Sequence, residues 1–296
     1  MTGGRTTGYV AGIVAGVSYG LNPLFGKSLL EGGVPVYSIL FFRYLYALIL
    51  MGAYFYLFRR SLKITLRQVP VLILLGLFFA GSSIGLFEAF SHIPAGLATT
   101  LVYLYPLFTA IAMVILGKSP NLKVWLAMVA TIAGVVLLCL PSGNIILNWK
   151  GMFLASFSAL SYAMYLVIVN NNKTISDLSA PTLTFYALAV GAVLFALITA
   201  FRGDSLTEGI DSALDWANLL GLAVICTAVA MLSIAVSTRF IGPTKTAVLG
   251  VFEPITAILI GCLAFGEVLT PTMWAGIAIC VAAVTFMIAA GRGASK

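Results

Sequence analysis

Two charged side chains, Arg43 and Glu253, lie within long apolar stretches of this 296-residue sequence. Glu253 is followed directly by Pro254, near the middle of the apolar run Thr244–Glu267. A carboxylate at the centre of a bilayer costs ~2.5–3.5 kcal/mol on insertion scales, so such groups are rare, face protein or water and mark pathways for protons or substrates. A guanidinium binds two oxygens at once and therefore suits a carboxylate or phosphate. These residue types indicate ligand binding or proton transfer.

The helical periodicity around Glu253 predicts the direction in which its side chain points. At 100° per residue, one narrow face collects the small and polar residues of the run, whereas the other faces carry Val, Leu, Ile and Phe. That narrow face consists of Thr246, Gly250, Glu253, Ala257 and Gly261. We therefore expect Glu253 to face a helix bundle, either tying helices together or lining a transport pathway. Because Pro254 has no N–H, the Gly250 carbonyl loses its usual helical donor and must find another or line a cavity.

Arg43 and Glu253 are expected at similar depths in the membrane. Counted at 1.5 Å per residue, Arg43 lies about 12 Å from one boundary and Glu253 roughly 14 Å from the other. In a hydrocarbon layer about 30 Å thick, these depths differ by only a few Å. Three alternatives follow: the residues form an ion pair, one or both meet a substrate or a proton, or Arg43 extends outward to the interface.

The composition predicts a membrane protein in contact with a lipid bilayer. Hydrophobic residues make up 61% of the chain and charged residues 8%, against about 45–50% and 25% in soluble domains. The net charge of +7 is scattered over short loops, so a nucleic-acid partner is not expected. The four cysteines all fall in apolar stretches without metal-ligand spacing, and we expect neither a metal nor a cofactor.

Ten apolar stretches of helical length predict an all-α protein with ten transmembrane helices. They run near residues 7–27, 35–58, 69–90, 95–116, 122–140, 150–170, 181–201, 215–238, 244–265 and 271–290. A cytoplasmic N-terminus places twelve lysines and arginines in inside segments and only Lys27, Lys150 and Arg202 outside. This asymmetry predicts that both termini are cytoplasmic.

The sequence also repeats itself in an ordered series of offsets. Gly8, Gly12, Gly16 and Gly20 form a ridge that recurs 143 positions later as Gly151, Ala155, Ala159 and Ala163. Tyr105-Pro106 recurs as Glu253-Pro254, and Trp125 as Trp274. We expect two five-helix halves, residues 1–141 and 142–296. Because each half has an odd number of spans, the second half must enter the membrane from the opposite side. Such inverted repeats frame a central cavity near the midplane, and the ridges are expected to pack helices closely.

The remaining candidate residues are polar groups expected to face this cavity. Ser18 and Asn22 lie one turn apart, roughly opposite the glycine ridge. Tyrosines cluster in the spans, and Tyr105 stands at the repeat position of Glu253 beside a second proline. The candidate substrate-binding and translocation residues are Tyr19, Asn22, Arg43, Tyr103, Tyr105, Pro106, Tyr162, Tyr165, Gly250, Glu253 and Pro254.

These stretches resemble the EamA-like transporters of the drug/metabolite transporter superfamily. The resemblance is carried by PVYSILFFR at Pro35–Arg43, by AFSHIPAGLATTLVYLYP, and by VFEPITAILIGCLAFGEVLT followed by WAGIAICVAAV. It implies secondary transport of small metabolites, commonly export, across a bacterial inner membrane. Arg43, Tyr105, Glu253, Pro254 and Glu267 match recurrent family positions, and Glu267 is expected to cap and close a loop. The first half departs from the pattern, with Gly117-Lys118 where the second half has Gly266-Glu267.

The function predicted is secondary transport of a small polar metabolite such as an amino acid, by alternating access and in the export direction. Pro106 and Pro254 would break two helices at mid-depth, exposing the carbonyls of Val102 and Gly250. Glu253 would carry the coupling proton or hold Arg43 in place. The alternatives are a passive facilitator or channel, an importer of a related solute, and a non-transporting scaffold or receptor. An enzyme is not expected, because the sequence offers no catalytic constellation.

Overall fold

A computed structural model describes residues 2–117, 122–139, 148–241, 246, 249–250, 252–268 and 270–290 of the chain. Among the residues that support the predicted orientation, Lys118, Lys245, Arg292 and Lys296 lie outside these ranges, as does Thr244 at the start of the run that contains Glu253. The side chains of Lys123 and Trp125 are likewise outside the described part.

The described residues form helices joined by short connections. The α-helices are α1 (Thr2–Gly20), α2 (Asn22–Glu31), α3 (Val36–Leu57), α4 (Val69–Phe90), α5 (Ala95–Val102), α6 (Tyr105–Ile115), α7 (Leu122–Cys139), α8 (Trp149–Asn171), α9 (Ala180–Arg202), α10 (Ala213–Ala223), α11 (Ala230–Ile241), α12 (Phe252–Phe265) and α13 (Pro271–Ala290). A 3₁₀ turn covers Lys173–Ile175, and a π-helical segment, Val224–Val229, joins α10 to α11.

Six stretches in the described part are long and apolar enough to cross a membrane. They are Val36–Leu57, Val69–Phe90, Ala95–Ile115, Trp149–Val169, Ala180–Arg202 and Ala213–Ile234. Shorter apolar helices accompany them near the C-terminal end. The prediction of an all-helical membrane protein is confirmed, whereas the count of ten spans stays a prediction.

Among the described residues, the first, fourth and eighth predicted spans are interrupted in their backbones, and the ninth turns at Gly250 before α12 begins. The first bends at Leu21, and Pro23 lies at the start of α2, a break that the apolar pattern did not predict. The fourth is broken at Tyr103 and Leu104, with Pro106 at the start of α6. The proline-based prediction of a break there is confirmed. The eighth contains the π segment, where one extra residue per turn interrupts the α-helical pattern.

Helices of the first half pack mainly against helices of the second. α1 contacts α11 and α12, and α8 contacts α4, α5 and α6. α3 packs on α9, and α7 packs on α13. The first helix of each half thus lies against the third and fourth spans of the other half.

The glycine ridge of α1 is the surface that contacts α11 and α12. A methyl group added at Gly8 would lie 2.7 Å from the Ile241 side chain, and one at Gly16 would lie 2.9 Å from the Leu249 carbonyl oxygen. At Gly20 it would lie 2.6 Å from the Glu253 carbonyl oxygen. These distances leave no room for a side chain, so the prediction of a packing ridge is confirmed.

Candidate functional site

The small-residue face of α12 points into the protein. Ala257 and Gly261 on this face are buried, and the Thr246 and Ser237 hydroxyls lie 2.8 Å apart. The opposite side of α12 exposes Ile255, Leu259 and Leu263. Glu253 shares the buried face, so the prediction that it faces protein instead of lipid is confirmed.

The close approach of α1 brings Tyr19 to Glu253. A methyl group at Gly16 would lie 3.4 Å from the Glu253 backbone nitrogen, and Gly20 touches the carbonyl of the same residue. Tyr19 directly precedes Gly20, and its side chain lies within electrostatic range of both Glu253 and Arg43. The glycine ridge therefore brings the Tyr19 side chain to the site, although the glycines themselves have no functional groups.

Tyrosines from two further helices form a continuous row of rings beside Glu253. The ring centroids of Tyr103 and Tyr105 lie 5.9 Å apart, and those of Tyr105 and Tyr162 lie 4.9 Å apart. Tyr162 stacks on Tyr165 at 5.9 Å with an interplanar angle of 7°. Tyr103, Tyr105 and Tyr162 lie within electrostatic range of the Glu253 carboxylate. The row runs from the break between α5 and α6, where Tyr103 lies, to α8, and so joins the two halves.

Five of these side chains retain partial solvent accessibility although protein surrounds them. They are Tyr19, Tyr105, Tyr162, Tyr165 and Glu253. Tyr103, by contrast, is buried at 5% exposure. The accessible surfaces therefore occur where the tyrosine row meets α1 and α12.

Arg43 is held inside the bundle by the π segment. Its side chain is 7% exposed, and its Nε donates to the Thr227 hydroxyl at 3.2 Å. Thr227 in turn donates to the Leu222 carbonyl at 3.0 Å, five residues back along the chain. The guanidinium also lies 5.4 Å from the centre of the Phe87 ring. Arg43 does not extend to the membrane interface, so that alternative is wrong.

Arg43 and Glu253 do not form the ion pair that their depths suggested. The ion pairs among the described residues are Lys27–Glu31, Lys27–Glu267 and Arg202–Asp204. Arg43 and Glu253 still interact electrostatically at longer range. Thr227 holds Arg43 by a direct hydrogen bond, and the suggested role of Glu253 in holding Arg43 stays a prediction.

Asn22 stabilises the break in the first span. Its Nδ2 donates to the Tyr19 carbonyl at 2.8 Å, across Leu21. The side chain is 5% exposed, and its Oδ1 has no hydrogen-bond partner in the described part of the protein. A buried acceptor without a donor is costly, which makes this oxygen a candidate contact for a ligand.

The prolines leave fewer free carbonyls than the sequence suggested. The Gly250 carbonyl accepts the Glu253 N–H at 3.0 Å, so the chain tightens before α12 and the expected free acceptor is absent there. Pro254 is buried, and Gly250 is half-buried in the turn. Pro106 cannot donate to the Val102 carbonyl, and only its backbone belongs to the described structure.

Several polar contacts near the site were not predicted. Besides Thr227, they include Ser158, whose hydroxyl donates to the Ser82 carbonyl at 2.6 Å, and Tyr44, whose hydroxyl lies 2.6 Å from that of Ser83. Single serines and threonines in apolar runs give no periodic signal, because their importance depends on which helix lies opposite.

Glu267 caps a helix in the other half of the protein. Its Oε1 accepts the Ala95 N–H and the Lys27 ammonium, both at 2.7 Å, and its Oε2 accepts the Gly96 N–H at 3.4 Å. The prediction that Glu267 is a capping residue is confirmed. The helix that it caps, α5, is remote in sequence.

These helices and this enclosed polar centre define a multi-pass membrane protein. The chain matches the EamA-like transporter family over residues 6–140 and 149–289 and belongs to that family. The family resemblance inferred from the motifs is confirmed, and its members are transporters, not enzymes.

Relatives of known sequence are themselves described only as transporters. An uncharacterized transporter of Archaeoglobus fulgidus is 29% identical over 64% of this chain and 65% of its own length. YwfM of Bacillus subtilis is 28% identical over 60% of the chain and 58% of its own length. The chain thus spans less than two thirds of both. The inner membrane transporter YedA of Escherichia coli K12 is 25% identical over 83% of the chain and 79% of its length.

A solved crystal structure shares the fold. It superposes with a TM-score of 0.71 and covers 99% of this chain and 100% of its own, at 16% identity. At that identity the likeness concerns the fold alone.

Proposed function

We propose that the protein is a secondary transporter that exports a small polar metabolite, such as an amino acid, by alternating access. The observation that carries the proposal is the Glu253 carboxylate, enclosed at mid-span among tyrosines and without an ion pair in the described structure. A charge in such a place is expensive unless it works on a proton or a ligand. This placement supports the coupling of transport to protons.

The packing of the helices supports ten spans arranged as two inverted halves, residues 1–141 and 142–296. α1 contacts α11 and α12, while α8, its counterpart, contacts α4, α5 and α6. The pairs α3–α9 and α7–α13 join equivalent helices. This exchange is the pattern that a two-fold axis in the membrane plane produces. With twelve basic residues on one side, both termini are cytoplasmic in a bacterial inner membrane.

A central cavity is supported by the accessible surfaces within the bundle. Tyr19, Tyr105, Tyr162, Tyr165 and Glu253 each keep some accessible surface while protein surrounds them. Their elements belong to both halves, as a site at the repeat interface requires.

The polar groups suit the two ends of a zwitterion. Glu253 and the faces of Tyr105 and Tyr162 attract an ammonium group, because aromatic rings bind cations. The guanidinium of Arg43, of which only Nε has a hydrogen bond among the described contacts, binds a carboxylate. The free Oδ1 of Asn22 accepts a further N–H of the ligand.

Transport measurements in proteoliposomes test the proposal, with the substrate first identified by metabolite profiling of medium and cytosol. Glu253→Gln keeps the size of the side chain but removes its titration, so flux should lose its pH dependence and its accumulation against a gradient. The matched control is Glu31→Gln, which alters an exposed carboxylate. A Glu253→Gln variant with the pH profile of the parent would refute the coupling role. A parent that never accumulates substrate would establish a facilitator instead.

A further inference from the structure

One carboxylate joins three helices that carry or lead to the candidate site. Glu267, just beyond α12, binds Lys27 of α2 and the first two N–H groups of α5. We call Lys27, Ala95, Gly96 and Glu267 the outer latch, because the proposed orientation places all four at the outer face. α5 leads to Tyr105, α12 carries Glu253, and α2 continues α1, which carries Tyr19.

The outer latch is largely shielded from solvent, unlike an ordinary surface ion pair. The Lys27 and Glu267 side chains are 14% and 9% exposed. The Lys27 ammonium also lies 4.4 Å from the centre of the Phe265 ring. Exposed ion pairs contribute little, whereas loss of one partner from a buried pair is strongly destabilising. The latch can therefore bias a conformational equilibrium.

The backbone beyond α12 is shaped to place this carboxylate. Gly266 adopts a left-handed conformation with φ of 63°, and the Glu267 N–H then donates to the Gly261 carbonyl at 3.0 Å. A methyl group at Gly261 would collide with the Glu267 carboxylate. The small residue on α12 thus leaves the space that the carboxylate needs.

We propose that the outer latch closes the outer entrance to the site and separates when the transporter opens outward. The inference rests on the proposed alternating-access function, because the latch joins helices of opposite halves. Those halves must move relative to each other at the outer face to admit or release a substrate there. The sequence also encodes the latch on one side only, since the repeat position of Glu267 is Lys118.

Cys226 offers a reporter of access to the site. It is fully buried in the π segment, and it lies within electrostatic range of Arg43 and Glu253. In a variant with Cys139, Cys262 and Cys280 replaced by Ala, a membrane-impermeant thiol reagent added outside intact cells can reach Cys226 only through the outer entrance. The labelling rate then follows the outward-open population.

We expect Glu267→Gln to raise this labelling rate about tenfold, the factor typical of losing a buried charge-assisted hydrogen bond. Gly261→Ala should do the same while leaving both charges in place. Glu31→Gln is the matched control, because Glu31 also approaches Lys27, at 4.0 Å, but is 59% exposed. Its labelling rate should equal that of the parent.

A variant that weakens a helix away from the latch tests whether any general loosening of the protein would raise the labelling rate. Asn148→Ala removes the cap of α8 without touching the latch, and comparable labelling in that variant would overturn the proposal. Unchanged labelling in folded Glu267→Gln or Gly261→Ala would overturn it as well. Should Glu267→Gln fail to fold, Lys27→Gln makes the same test. Absence of substrate flux in the parent would refute the transport function separately, while the labelling rates still decide whether the latch governs access.

Discussion

The fourth and ninth spans break at corresponding positions, yet the residue at each break differs. In the fourth, α5 ends at Val102 and α6 begins at Tyr105, directly before Pro106. In the ninth, the chain turns at Gly250, and Glu253 stands directly before Pro254. Proline sets the backbone in both cases, so the two breaks share a local cause. Their chemistry differs: the first half contributes an aromatic ring and the second an acid.

The first helices of the two halves show the same division. α1 presents glycines to α12, and at Gly20 a methyl group would lie 2.6 Å from the Glu253 carbonyl oxygen. At the corresponding positions α8 carries Ala155, Ala159 and Ala163, all fully buried. The second half thus accommodates a methyl group where the first half cannot. The difference indicates that α1 has no room for a side chain where it meets the backbone of Glu253.

The largest loss of stability that the comparison predicts comes from replacing a glycine of α1 by the alanine found at the corresponding position of α8. Gly20→Ala copies Ala163 and should lower the free energy of unfolding by ~1–3 kcal/mol, because an added methyl group forces backbones apart in a packed interior. Thermal unfolding in detergent measures the loss. Flux should fall with it, since Tyr19 and Glu253 would be displaced together.

The reciprocal change provides the control. Ala163→Gly removes a methyl group without creating a clash and should cost about 1 kcal/mol, the usual penalty of glycine within a helix. If both variants lost the same free energy of unfolding, the close packing of α1 at Gly20 would not restrict the residue there more than the packing of α8 does.

A smaller effect is expected from the aromatic break. Tyr105→Ala removes the ring that contacts Tyr103 at 5.9 Å and Tyr162 at 4.9 Å. Such edge contacts are worth about 0.5–1.5 kcal/mol each, so we expect flux to fall by about tenfold. Tyr105→Phe keeps the ring and should stay within about twofold of the parent. A loss in the Phe variant as large as that in the Ala variant would assign the role to the hydroxyl instead.

The sequence predicted those features whose causes are local. The direction of Glu253 followed from the periodicity of α12, the break before Tyr105 from Pro106, and the packing of α1 from four glycines at equal spacing. Each depends on geometry within one helix or on the absence of one N–H group. A single sequence therefore contains the information needed.

The contacts that complete the site depend on which helices lie opposite each other. Thr227 holds Arg43 only because α3 lies beside the π segment, and no periodic pattern in the eighth span marks that segment. Arg43 and Glu253 form no ion pair in the described structure for the same reason, since equal depth, which made the pair one alternative, does not establish proximity. Glu267 was predicted as a cap, but its partner α5 begins 172 residues earlier in the chain.

The smallest predicted effect comes from a comparison of two helix caps, the local cap formed by Asn148 and the remote cap formed by Glu267. Asn148 caps α8 from within its own turn, accepting the N–H groups of Lys150 at 3.0 Å and Gly151 at 3.3 Å. Asn148→Ala should lower the free energy of unfolding by ~1 kcal/mol, as loss of an N-cap does, and Asn148→Asp should restore it. Flux should be unchanged, because the Asn148 cap lies within one half of the protein. Glu267, by contrast, belongs to the second half and caps α5 of the first half. Thermal unfolding and proteoliposome flux are measured on the same preparations. A transport defect in Asn148→Ala would mean that loosening any outer helix end impairs the transport cycle. The cap formed by Glu267 would then have no special role in transport.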